Sequence, residues 1–95
     1  MDINETLETR EGQYGQYKIV GQISQDIKDV IKQSPNYSIM PAYARESLDM
    51  IANKMARILN GDCFLNDSWH DISGYAALVV MTNEDMEKHS EPDAC

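Results

Sequence analysis

Apolar residues recur along this chain at the three- and four-residue steps of an α-helix, broken by short polar, glycine- or proline-bearing gaps. Four helices follow from that pattern. Ile3, Leu7 and Arg10 share a helical spacing over residues 3–10, after which Gly12 and Gly15 predict an interruption. The cleanest period runs from about Tyr17 to Gln33. There Val20, Ile23, Ile27, Val30 and Ile31 form a stripe, Gln22, Asp26, Asp29 and Lys32 lie opposite, and Ser34-Pro35-Asn36 ends the run. A third helix is expected from Pro41, a favoured first helical residue, to the Asn60-Gly61 stop, with a core stripe of Leu48, Ile51, Met55 and Ile58. The fourth begins near Asn66 or Asp67, either of which suits an N-cap, and fades after Met81. Its stripe is Trp69, Ile72, Ala76 and Val79, with Trp69 read as core.

No segment alternates with period two long enough to argue a strand. Tyr75 to Met81 is the one short apolar run open to either reading, and the helical period from Trp69 continues through it. The fold expected is an all-α small helical bundle in which residues 41–60 and 67–82 pack as an antiparallel hairpin. Residues 1–88 form the single domain and 89–95 a flexible tail. A chain of 95 residues buries only about 60–65% of the surface its unfolded form exposes, so completion by oligomerisation is expected.

Sixteen acidic and eight basic side chains leave a net charge of −8. That balance repels phosphate backbones and argues against direct nucleic-acid binding. No apolar run approaches the roughly 18 residues of a membrane span. Met1-Asp2-Ile3-Asn4-Glu5 lacks the basic start and apolar stretch of a secretory signal, and Cys63 and Cys95 make no disulfide framework. A cytoplasmic protein, in no contact with membrane, is expected.

Candidate chemistry lies on the second face of helices three and four. Glu46, Asp49, Asn53 and Arg57 fall within a sector of roughly 80° opposite the apolar stripe, with Lys54 beside it. Asp67 and Asp71, one turn apart on helix four, share a face with Gly74 and Leu78. Carboxylates from two antiparallel helices suit a hard cation such as Mg²⁺, and Arg57 and Lys54 could pair with phosphate. The same spacing suits a merely solvated face, but Met50, Gly74 and Leu78 among the charges fit a covered site better. Near the N-terminus Arg10, Tyr14 and Tyr17 offer a phosphate partner and stacking rings, or two rings that pack the bundle end. Asp67 and His70 have the spacing of one half of a di-iron site. No second copy exists, and that site is rejected.

Several of these segments resemble a known family. They are Glu46-Ser47-Leu48-Asp49, Lys54, Arg57-Ile58-Leu59-Asn60-Gly61 and Asp67-Ser68-Trp69-His70-Asp71-Ile72-Ser73-Gly74-Tyr75. With Glu8-Thr9-Arg10-Glu11-Gly12-Gln13-Tyr14-Gly15, they resemble a group of short phage and prophage proteins of unassigned function. That group looks like a distant branch of the all-α MazG-type nucleoside triphosphate pyrophosphohydrolases. The resemblance covers roughly residues 6 to 80. It implies dimers or tetramers, and a catalytic, Mg²⁺-binding set of Glu46, Asp49, Asp67 and Asp71. It also implies nucleotide contacts from Arg10, Tyr14, Lys54, Arg57 and Tyr75. The family carries E-x-x-E and E-x-x-D pairs. Here the first is Glu46-x-x-Asp49 and the second is Asp67-x-x-x-Asp71, a departure that touches catalysis more than binding.

Three functions follow as expectations. The first is a phage-type, MazG-like nucleotide-handling protein that binds a nucleotide phosphate with Mg²⁺, with hydrolysis of nucleoside triphosphate to monophosphate and pyrophosphate left open as its catalytic form. The second is a non-catalytic sponge for nucleotide second messengers of bacterial anti-phage defence. The third is an acidic DNA mimic that inhibits a host nuclease complex.

Overall fold

The computed structural model describes residues 2–89, and every element in it is helical. The elements are α1 (Ile3–Tyr14), α2 (Tyr17–Gln33), a short 3₁₀ turn (Tyr37–Ile39), α3 (Ala42–Asn60) and α4 (Asn66–His89). α2 takes the bounds its stripe predicts. Pro41 caps α3 instead of opening it. α1 runs through Gly12, so only Gly15, at φ 81°, breaks the chain. α4 continues past Met81 to His89, because Thr82 to Lys88 contains neither glycine nor proline. Of the expected tail, His89 closes α4, and residues 90–95 lie outside the described residues.

α3 is the centre of the molecule. It packs against α2 on one side and α4 on the other, and α2 and α4 share no substantial contact. The α3–α4 hairpin is antiparallel. The Tyr43 hydroxyl donates to Asn83 Oδ1 (2.5 Å) near one end, and Lys54 Nζ lies 3.2 Å from Asp71 Oδ2 farther along. Both contacts share one register.

The expected core stripes require a correction. The seams between helices are lined by small side chains: Val20 and Ser24 on α2, Ala44, Ser47, Ala52 and Ala56 on α3, and Ser68 on α4. No large side chain is fully buried among the described residues. Met55 is 40% exposed and Trp69 55%, and the indole Nε1 donates to the Cys63 carbonyl (3.4 Å). The reason is geometric. Three helices side by side form one layer, and small residues on the seams let the backbones approach. The bulky positions then project from the face of the layer. A folded domain ordinarily needs two layers to enclose a core. The Cα radius of gyration is 16.7 Å, against roughly 12.4 Å for a compact domain of this length.

α1 buries no residue of its own and is held at its C-terminal end. The Asp62 N–H donates to the Gln13 carbonyl (2.8 Å), and Asn60 Nδ2 donates to the Tyr14 carbonyl (3.4 Å). Two glycines permit this contact. A Cβ on Gly61 would fall 2.2 Å from the Gln13 carbonyl oxygen and 2.4 Å from Tyr14 Cα, and one on Gly15 would strike Asn60. Two of the segments singled out in the sequence, around Gly15 and around Gly61, thus meet in space.

Candidate functional site

The junction of α1, α2 and α3 creates a cleft of about 430 Å³. Leu7, Arg10, Glu11 and Tyr14 come from α1, Tyr17 and Val20 from α2, and Asn53 and Arg57 from α3. Each position has a local cause. The break at Gly15 folds Tyr14 back over α3, and Asn53 and Arg57, four residues apart, stand on the α3 face that looks toward it. The Arg57 guanidinium lies over the Tyr14 ring, 4.6 Å from its centroid. That packing restrains the planar guanidinium against the ring. Tyr17, 86% exposed, stands at the rim.

Charge in the cleft is unusual for so acidic a chain. Lys54 pairs with Asp71, whereas among the described residues no carboxylate lies at ion-pair distance from Arg10 or Arg57. Glu11 lines the same cleft and offsets one of the two positive charges. The cleft runs on into a second concavity of about 360 Å³ along the α2–α3 seam, which shares Tyr17, Val20 and Asn53 and adds Ser24, Gln25 and Lys28. Ser24 is buried with an unpartnered hydroxyl, and Asp49 Oδ1 and Arg45 Nε are likewise buried without partners. An unpaired buried polar atom is costly, on the order of 1–3 kcal/mol, and of these three residues Ser24 lines the second concavity.

The nine residues expected from the sequence divide into separate groups. Arg10, Tyr14 and Arg57 line the cleft together. Lys54 lies elsewhere, on the α4 side of α3 and paired with Asp71. Tyr75 is half-buried on α4 and lines neither part of the cleft. Asp67 and Asp71 do share a shallow concavity of about 390 Å³ with Tyr14, Asn66 and His70.

The four carboxylates do not meet within one chain. Glu46 is exposed, and it stands about 12 Å along the axis from the level of Asp71 and about 18 Å from that of Asp67. Asp49 turns its buried Oδ1 away from α4, about 140° round the helix from Lys54. Among the described residues no three His, Cys, Asp or Glu side chains come together closely enough to hold a metal ion. The expected shared acidic cleft between α3 and α4 is therefore absent from the single chain. Helical spacing places two acids on one face, but the register between helices decides whether two pairs face each other.

Ser24 and Glu11 also belong to the site, although neither stands out as a site residue in the sequence. The signal for Ser24 was present: it completes the Val20, Ile27, Ile31 line of α2 as a small polar residue on an otherwise apolar stripe. No helix among the described residues is long and apolar enough to cross a membrane. No family model matches the chain, and neither a curated protein nor a solved structure matches it.

Proposed function

We propose that this chain binds a phosphate-bearing nucleotide or nucleotide-derived small molecule in the cleft between α1, α2 and α3, and holds it without turnover. The observation that carries this reading is the convergence of two arginines, neither paired to a carboxylate, with two tyrosines and an amide in one cleft of ligand size. In the bound state Arg57 and Arg10 donate to phosphate oxygens, Arg57 as a fork held flat by Tyr14. Tyr17 presents an open ring face for a base, and the Asn53 amide can donate to or accept from its edge. Leu7 and Val20 supply apolar wall.

Glu46, Asp49, Asp67 and Asp71 do not fit a Mg²⁺ cage within one chain, so the proposed function routes no step through the metal. Binding without hydrolysis agrees with the altered carboxylate pairs. Together with the resemblance to phage and prophage proteins, it supports the sponge reading, in which the ligand is a nucleotide signal in the host cytoplasm.

Calorimetry tests this with nucleoside triphosphates, cyclic dinucleotides and ADP-ribose, each with and without Mg²⁺. One class is expected to bind and to be recovered intact after the protein is denatured. Arg57→Ala should weaken it by about 10- to 100-fold, the range of a charged hydrogen bond. Binding by none of them, or the appearance of monophosphate from a triphosphate, overturns the proposal.

A further inference from the structure

The face of the helix layer opposite the cleft is apolar and open. Ile51, Met55, Ile58 and Leu59 on α3 and Trp69 and Ile72 on α4 line a groove of about 280 Å³ without one polar side chain. Leu59 is 66% exposed and Trp69 55%. The strip extends along α4 to Val80, 54% exposed, and onto α2 through Ile19 and Val30, which the helical period places on the side away from Tyr17 and Asn53. A contiguous patch of this kind marks an interaction surface, whereas scattered apolar residues do not.

We propose that this face is the docking surface for a second copy of the same chain, which supplies the missing second layer and closes a bundle from the α3–α4 pairs of both copies. Three observations select a second copy over another protein. First, the chain buries no large side chain among the described residues, so its own core is too small to hold the fold. A cover needed whenever the chain is folded has to be present with it, and another copy always is. Second, the chain exposes more area than a compact monomer of its mass, part of it on the unburied α1 and part on this face. The chain exposes 7126 Å², roughly 1,600 Å² more than the roughly 5,500 Å² of a folded monomer of its mass. Obligate dimers bury about 1,000–2,500 Å² per protomer. Third, the charges allow it. The chain carries −8, yet the six residues that line this groove are all uncharged, and Glu46, Asp67 and Asp71 stand away from it, so two acidic copies can meet at the groove without opposing carboxylates there. The pairing uses one self-complementary patch about a two-fold axis and leaves the arginine cleft open on the far side.

Sedimentation velocity of the full chain from roughly 1 to 100 µM should show a dimer or an even multiple. Leu59→Glu should weaken association by about 100-fold or more, because it buries a charge at the centre of the contact. The residue is mostly exposed in the single chain, so the variant's helicity can be checked by circular dichroism. Leu78→Glu, at a site 56% exposed and about 180° round α4 from Trp69, should leave association unchanged. A variant-free readout is also available. Trp69 is the sole tryptophan, and its emission should be blue-shifted and shielded from acrylamide in the assembled protein. The proposal fails if the folded chain sediments as a monomer across the range, which would assign the face to a different protein. It fails equally if Leu78→Glu disrupts the assembly and Leu59→Glu does not, or if Trp69 stays fully quenchable in the assembled state. Ligand calorimetry on the cleft is independent of each of these outcomes.

Discussion

The two faces of the α2–α3–α4 layer are built from the same helices and differ in what they leave unfinished. One face exposes Met55, Leu59 and Trp69 around a groove with no polar lining. The other gathers Arg10, Tyr14, Asn53 and Arg57 at a junction and leaves its guanidinium groups without a carboxylate at ion-pair distance. The first lacks packing, and the second holds two arginines against the single carboxylate of Glu11. These shortfalls call for different partners, a matching apolar surface and a small anion. α3 serves both faces because Ala52 and Ala56, fully buried, take up its contact with α2, and the larger residues are free to point either way.

Substitutions that separate the faces sharpen this comparison. The largest effect within the chain is expected at Gly61. A methyl group there meets the backbone of Gln13 and Tyr14, which has no side-chain freedom to yield, so Gly61→Ala should cost about 2–3 kcal/mol. It should also detach α1 and abolish ligand binding while leaving the apolar groove intact. Thermal denaturation followed by circular dichroism, with calorimetry of the ligand, separates the two consequences. Next comes Arg57→Ala, with its loss of ligand affinity. Its effect on self-association, read by sedimentation, should be negligible. Asp71→Asn removes a bridge to Lys54 that is 44% exposed on the carboxylate side, worth about 1 kcal/mol or less. Ligand affinity should stay unchanged; a loss comparable to that of Arg57→Ala would return the carboxylates to the site. Smallest of all, Tyr43→Phe deletes an exposed hydrogen bond to Asn83 and should lower stability by about 0.5–1 kcal/mol, measured in urea.

Much of the fold was legible because breakers punctuate it. Ser34-Pro35 and Asn60-Gly61 delimit α2 and α3, and the periods between them leave no room for a strand. Where the break signals are weaker, the helices run on past them. Gly12 is tolerated inside α1, since a mid-helix glycine costs only about 1 kcal/mol. The polar run after Met81 reads as an ending although nothing in it stops a helix. The stripes on α3 and α4 correctly marked an apolar face, but hydrophobicity is silent on whether that face meets the chain's own helices or another surface. Alanine and serine, which make the actual seams, carry almost no signal in such a pattern. The candidate site was legible in parts for the same reason. Arg10, Tyr14 and Arg57 meet through a tertiary contact between two glycine-bearing motifs, while the carboxylates depend on a register that no single helix encodes.

The attachment of α1 at one end only has a consequence for motion. Its last turn is clamped to Asn60 and Asp62, whereas Ile3 and Leu7 stay 70% and 56% exposed. Amide hydrogen exchange should therefore form a gradient along the helix. It should be nearly as fast as in a free peptide at the start, and slow to the rate of the molecule's body only around Tyr14. The wall that α1 contributes at Leu7 then belongs to a hinged flap with its pivot at Gly15.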